Sequence, residues 1–198
     1  MNSIRFLPSL LLLVIALLSG GCVTKIKTDV TQNPPPAEKF SAFNRFELGK
    51  LTLVSPYAGQ EANEAALKKI QENVSLKGDP LVQGWNAAGA GAAPARTLVI
   101  TPVVTEIKFI NGSSRFWAGA MAGSSAVILK VTFTEKESDR VIASPIFFAR
   151  ANAWGGAYTI GSTDNLMLVR IAGRLTDYLS ANYAVAVGGP TGAEPAAK

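Results

Sequence analysis

The stretch AVILKVTFTEKESDRVIASPIFFAR, residues 126–150, carries the clearest strand pattern in the chain, and the fold prediction starts from it. Apolar side chains alternate with mostly polar ones over residues 127–134, which is the period-two pattern of a strand with one buried face. The inward set is Val127, Leu129, Val131 and Phe133, and the outward set is Ile128, Lys130, Thr132 and Thr134. The polar run at residues 135–140 predicts a hairpin turn into a second strand over residues 141–154. Pro145 is expected to interrupt that strand because proline cannot donate a ladder hydrogen bond.

Two more strands are predicted on the N-terminal side of this hairpin. Residues 96–110 are rich in β-branched side chains, and the alternation of two sets along them indicates a strand. One set is Val99, Val103, Ile107 and Phe109, and the other is Thr97, Leu98, Thr101 and Glu106. Pro102 removes a backbone donor, so we expect an edge position or a bulge there. Residues 43–53 predict a further strand with an irregularity at Gly49.

Helical spacing predicts two helices. The first is expected over residues 59–75, where apolar side chains recur at spacings of three and four. Its shared face holds Ala66, Leu67, Ile70 and Val74. Residues 77–80, which end in proline, are predicted to stop this helix, and residues 81–94, alanine and glycine around Trp85, to form a mobile loop. The second helix is expected over residues 164–183, with a core-facing stripe of Leu168, Ile171, Leu175, Tyr178 and Leu179.

The order of these elements predicts an α+β domain, in which a mainly antiparallel sheet has two helices packed on one face. We expect this domain to span residues 40–184. Residues 185–198 have too few large apolar side chains to fold, and they predict a disordered tail. At 198 residues, of which 48% are hydrophobic, the chain is long enough for one domain that needs no disulfide or metal.

The N-terminus has the layout of a secretory signal. Residues 10–18 form an unbroken apolar run behind a short head whose only charged side chain is Arg5. The run is too short to cross a bilayer, which takes about 20 apolar residues. Two glycines follow, and then Cys22, the only cysteine in the chain. One interpretation is an ordinary signal-peptidase site, because Ser19 and Gly21 fit its small-x-small pattern and would leave Cys22 as a free N-terminal residue.

The motif Gly20-Gly21-Cys22 resembles the end of the bacterial lipoprotein signal, with Ser19 at the position where that family usually has leucine. The resemblance implies cleavage before the cysteine and attachment of lipid to Cys22, including an added acyl chain such as palmitate. Such chains anchor a protein to a membrane without spanning it. The resemblance also implies the outer membrane, because Val23 stands where an aspartate would retain the protein at the inner membrane.

The segment after the lipoprotein motif is polar and carries a proline triplet, Pro34 to Pro36. Its few large apolar side chains cannot offset the entropy of ordering it. After removal of the signal peptide, residues 1–21, we therefore predict a flexible tether over residues 22–39. An extended tether of that length would hold the domain a few nanometres from the bilayer.

Composition limits the chemistry of the protein. The chain has no histidine and only one cysteine, so the usual metal ligands, general base and thiol nucleophile are missing. We therefore expect no metal, no cofactor and no enzymatic activity. Cleavage before Cys22 removes one of 19 basic residues and none of 14 acidic ones, so the formal net charge falls from +5 to +4. The basic residues are spread along the chain, which argues against a nucleic-acid partner.

The glycine-rich segment NGSSRFWAGAMAGSS, residues 111–125, is expected to carry a partner contact. Arg115 and Trp117 are the candidate contact residues, because arginine and tryptophan are favoured anchors at interfaces. The alternative is that the glycines only permit tight turns and that Trp117 belongs to the core.

Arg115, Gly119 and Gly123, together with the following strands and the closing helix, are similar to a family of bacterial lipoproteins known as a domain of unknown function. The resemblance implies no catalytic motif, and a shared fold does not establish a function. We expect a non-enzymatic interaction or structural module, lipid-anchored at the outer membrane, that docks to a protein or cell-wall glycan in the periplasm. The alternative is an oligomeric subunit of an envelope secretion or transport assembly.

Overall fold

The computed structural model describes residues 26–110, 124–151 and 162–194, without the side chains of Ser162 and Thr163. Over these residues the chain forms eight strands, two long helices and a short 3-10 turn at Phe40–Ala42. The strands are β1 (Gln32–Asn33), β2 (Arg45–Leu48), β3 (Thr52–Leu53), β4 (Thr97–Lys108), β5 (Ala126–Glu135), β6 (Arg140–Ala143), β7 (Ile146–Arg150) and β8 (Gly189–Pro190). The helices are α1 (Glu61–Ala88) and α2 (Ser162–Ala184).

The main sheet is built around the antiparallel pair β4 and β5. On the far side of β5, β6 and β7 pair with it in antiparallel fashion, with Pro145 between them as predicted. On the far side of β4, β2 and β3 pair with it in parallel. A parallel neighbour needs a long crossover, and α1 supplies it between β3 and β4. The predicted α+β class is confirmed, with one parallel edge in a mainly antiparallel sheet.

Both helices pack on one face of this sheet and share its core. The inward set predicted for β5 and the stripe predicted for α2 are confirmed, since all of those side chains are buried. Phe40 stacks on Phe133 with ring centroids 4.8 Å apart, and Tyr178 of α2 leans on both rings. Aromatic contacts of this kind add to the stabilisation that burial provides.

In β4 the buried set differs from the alternation that the sequence suggested. Leu98, Ile100 and Val104 are fully buried, whereas Val103 is only partly so. A bulge after Val104 shifts the register and turns Ile107 inward. Apolar residues occupy both faces of this central strand, so a simple alternation could not select the inner one.

Pro102 lies in a central strand, so it is not at an edge, and the bulge that was the other expectation falls further along the strand, after Val104. The interruption falls on the neighbouring chain instead, because β2 ends at Leu48 and β3 begins at Thr52. Gly49, where an irregularity was predicted, lies in that gap, and its N–H donates to the Ile100 carbonyl over 2.9 Å. Pro102 has no backbone N–H to donate, and the gap between β2 and β3 means that no ladder hydrogen bond is lost on this side of β4.

Helix α1 continues well beyond the predicted stop, and the mobile loop predicted over residues 81–94 is corrected by the structure. The helix includes Pro80 and ends at Ala88. Its buried face continues through Gly78 and Val82, and then Trp85 stacks on Tyr183 at 4.4 Å. Packing on α2 and β2 over these turns outweighs the lost hydrogen bond at the proline, whose own position is exposed.

The described parts of both terminal segments, residues 26–39 and 185–194, are also ordered, although the sequence predicted a tether over residues 22–39 and a tail over residues 185–198. Strands β1 and β8 form an antiparallel pair. Thr191 is fully buried, and its carbonyl accepts a hydrogen bond from the Phe148 N–H over 2.8 Å, on the free edge of β7. The polar, proline-rich composition does not predict these strands, because they are held by backbone hydrogen bonds to distant segments rather than by apolar side chains.

Candidate functional site

The residues that the sequence singled out lie outside the described part of the chain. Cys22 precedes Ile26, the first described residue, and Arg115 and Trp117 belong to residues 111–123. They stay predictions. The structure does fix the two ends of the latter segment, because the Ile110 N–H donates to the Ser125 Oγ over 3.0 Å. The glycine-rich segment therefore connects β4 to β5, and Ser124 begins the described chain after it.

A cavity of about 650 Å³ lies where the described N-terminal and C-terminal segments, at residues 27–29 and 192–194, meet the edge strand β7. Its wall includes the four basic side chains Lys27, Arg150, Arg170 and Arg174. The remaining described lining residues are Thr28, Asp29, Ser124, Phe148, Ala149, Ala151, Gly192, Ala193 and Glu194. A cavity of this volume is within the range of small-molecule sites. Four cationic groups against two carboxylates give it a basic character, which favours an anionic ligand.

Arg174 projects from α2 against the C-terminal segment. Its Nε is buried and has no hydrogen-bond partner among the described residues. Gly192, at φ +93°, makes this position possible, since a Cβ there would lie 2.1 Å from the Arg174 Cζ. Burial lowers the pKa of the Arg174 guanidinium, the neighbouring charge of Arg170 lowers it further, and Asp177 opposes the shift. Arg174 is therefore a partly buried cation with an unused donor, and such a donor favours an acceptor.

Arg150 holds the N-terminal segment against the cavity wall. Its Nη2 donates to the Ile26 carbonyl over 3.0 Å, and its guanidinium lies 5.8 Å from the centre of the Phe148 ring. Ile26 itself is only 3% exposed and packs with Phe148 and Ile128 on the outer face of the sheet. The first described residues are therefore part of the fold and of the cavity rather than a free tether.

A second charged cluster joins residues that are far apart in sequence, and the sequence did not indicate it. The Glu135 carboxylate accepts hydrogen bonds from Ser138 at 2.7 Å, from the Arg96 Nε at 2.7 Å and from the Arg140 Nη2 at 3.2 Å. Glu38 binds both arginines as well. The only local signal was the polar hairpin at residues 135–140.

These hydrogen bonds fix the protonation state of the second cluster. The bond from Ser138, followed by that from Arg96, lowers the pKa of Glu135 to about 2. Bonds from Arg96 and Arg140 lower the pKa of Glu38. Both carboxylates are ionised at neutral pH, so they suit a clamp between the N-terminal segment, β4 and the β5–β6 turn better than proton transfer.

Within the described ranges, no group of three or more acidic or cysteine side chains is arranged to hold a metal ion. Neither described helix is both long and apolar enough to cross a membrane.

No family model matches the sequence, and no curated protein matches it. Solved structures show a distant similarity. The PelC dodecamer from Paraburkholderia phytofirmans is 14% identical over 71% of this chain and 91% of its own, with a TM-score of 0.35. The hypothetical protein CT253 from Chlamydia trachomatis is 13% identical over 70% and 99%, with a TM-score of 0.35. A minor lipoprotein from Acinetobacter baumannii is 12% identical over 75% and 98%, with a TM-score of 0.32. Similarity at this level carries no inference about function.

Proposed function

We propose that the chain is a lipid-anchored, non-enzymatic binding module of the bacterial envelope, held on the periplasmic face of the outer membrane. The observation that carries the proposal is the apolar run that ends in Gly20-Gly21-Cys22, followed within four residues by the folded domain at Ile26. Acyl chains on Cys22 would anchor the protein, and the domain would start directly at the membrane surface.

The chemistry of the described residues supports a binding role. The chain lacks histidine altogether. Hydrogen bonds from arginines lower the pKa of Glu38, and those from Ser138 and Arg96 lower the pKa of Glu135. Both carboxylates are therefore ionised at neutral pH and cannot act as general acids. The basic cavity, by contrast, offers the hydrogen-bond donors of four basic side chains, which suit the binding of an anion.

The glycine-rich segment supplies a second proposed contact. It rejoins the described chain at Ser124, which lines the basic cavity. Arg115 and Trp117 would therefore be tethered close to that cavity, and we propose that they contribute to the binding of a periplasmic protein or cell-wall glycan. Crosslinking of Arg115→Ala and Trp117→Ala variants in cells, with melting temperatures as the control for folding, tests this assignment.

The anchor is tested by labelling cells with radioactive palmitate. The native chain should incorporate label and fractionate with the outer membrane, and Cys22→Ala should do neither. A Cys22→Ala variant that is still labelled and membrane-bound would refute the proposal. The mass of the purified native chain is measured alongside, because a large closed assembly would favour the alternative of an oligomeric subunit in envelope secretion or transport.

A further inference from the structure

The basic cavity has a wall that matches phosphate chemistry. Arginine presents planar N–H donors that bind phosphate oxygens in pairs, and Arg150, Arg170 and Arg174 all face the same cavity. One of these donors, the buried Nε of Arg174, has no partner among the described residues. An oxyanion bound by Arg174 would give this donor an acceptor, and a hydrogen bond between two charged groups is stronger than one between neutral groups.

Two carboxylates in the wall of the basic cavity limit the kind of anion that can bind there. Asp29 and Glu194 line the same cavity as the arginines. They would repel a second phosphate, but they accept hydrogen bonds from hydroxyl groups. A single phosphodiester with a hydroxyl-bearing headgroup fits this pairing of donors and acceptors better than a polyanion does.

The position of the cavity relative to Cys22 identifies the source of such a headgroup. Lys27, on the wall, follows Ile26, which is fixed to the domain by Arg150. Ile26 lies four positions after Cys22 in the sequence, and a fully extended chain over that distance spans at most roughly 14 Å. We propose that the cavity binds the phosphodiester headgroup of an anionic lipid in the leaflet that holds the Cys22 anchor. The assignment to lipid rests on the proposed function, because the anchor brings the cavity to the leaflet.

The test uses the chain after the signal, residues 22–198, with Cys22→Ser so that no acyl chain can insert. Flotation compares vesicles containing about 30 mol% phosphatidylglycerol in phosphatidylcholine with vesicles of phosphatidylcholine alone. The chain should float with the anionic vesicles only. Arg174→Gln should weaken this binding about tenfold or more, the cost of a lost hydrogen bond to a charged group.

Two further variants separate the cavity from general charge. Arg170→Gln changes an exposed cavity residue, so its folding is not at risk, and it should weaken binding about fivefold. Arg45→Gln removes the same charge from β2, at the opposite edge of the sheet, and should leave binding nearly unchanged. If Arg45→Gln weakens binding as much as Arg170→Gln and Arg174→Gln do, the attraction is non-specific and the inference is overturned.

Soluble sn-glycerol 1-phosphate distinguishes a lipid from a free phosphate. Isothermal titration that shows binding of this compound without any binding of anionic vesicles would overturn the lipid assignment. Palmitate labelling separates this inference from the proposed function. A labelled native chain with no vesicle binding refutes the headgroup site and leaves the anchor intact, whereas an unlabelled native chain with cavity-dependent vesicle binding refutes the anchor and supports the headgroup site.

Discussion

At the scale of single residues, two asparagine side chains make the backbone hydrogen bonds that a neighbouring strand would otherwise make. The Asn33 Nδ2 donates to the Ile146 carbonyl and its Oδ1 accepts from the Ile146 N–H, both over 2.9 Å. Asn86 makes the same pair of bonds with Phe46, at 2.7 and 3.0 Å. A side-chain amide carries one acceptor and two donors, so it can satisfy both backbone groups of a residue at a sheet edge.

Replacing Asn33 tests the importance of this pairing. Asn33→Ala should lower the free energy of unfolding by about 1–3 kcal/mol, because both backbone groups of Ile146 lose their partner at a partly buried position. Urea denaturation followed by circular dichroism measures the change. Asn73→Ala is the matched control, since Asn73 bonds to the Lys69 carbonyl on the exposed side of α1. A loss no larger than that of the control would show that water replaces the amide at β7.

The ionised state of Glu135 predicts a loss of stability in acid. Its pKa is about 2 in the folded protein against an ordinary value of 4.5, so the folded state binds the proton less readily than the unfolded chain. This stabilisation is present above about pH 4.5 and is lost as the pH falls from about 5 to 2. Melting curves from about pH 7 to pH 3 should show a smaller decline for Glu135→Gln than for the native chain, from a lower starting temperature.

The control for Glu135 is Glu61→Gln, which changes an exposed carboxylate at the start of α1. This variant should keep the acid dependence of the native chain. Identical acid dependence in the native chain and in Glu135→Gln would mean that the bonds from Ser138, Arg96 and Arg140 do not persist in solution.

At the scale of elements, α1 is the feature on which sequence and structure differ most. Pro80→Ala should raise the free energy of unfolding by about 1–3 kcal/mol, because alanine restores an intrahelical donor and suits a helix interior better than proline. Gly84→Ala should add about 0.5–1 kcal/mol, since a Cβ there meets nothing within 4 Å. Chemical denaturation measures both changes.

The turn after α1 provides the control for these substitutions. Gly91 has φ +82°, so Gly91→Ala should lower stability rather than raise it. If Pro80→Ala and Gly84→Ala bring no gain in the free energy of unfolding, residues 81–94 form the loop that the sequence suggested, and the extended helix is wrong.

Elements that bury one face could be predicted from the sequence, and elements fixed by distant partners could not. The sequence periodicity predicts strand β5 and helix α2 because each of them buries a single face. The strands β1 and β8 are two residues long, and their asparagine, glycine and proline residues indicate turns. The sequence did not predict the cavity either, because Arg174 and Gly192 come together only in the folded chain.

At the scale of the whole molecule, the ordered N-terminal segment changes how the protein would sit on a membrane. A flexible tether would have let the domain move several nanometres from the bilayer. Ile26 is instead already packed on the domain, which leaves only a few residues between it and the proposed anchor. The basic cavity, with the terminal segments that line it and the edge strand β7, would then lie at the membrane surface.

Neutron reflectometry of the lipidated chain on a supported bilayer measures the distance between the domain and the membrane. Protein density should begin within about 14 Å of the headgroups, the reach of an extended chain from Cys22 to Ile26. The same protein with about 15 glycine and serine residues inserted after Val23 provides the tethered reference. A native profile that matches the reference, with a gap of several nanometres between headgroups and protein, would contradict the account.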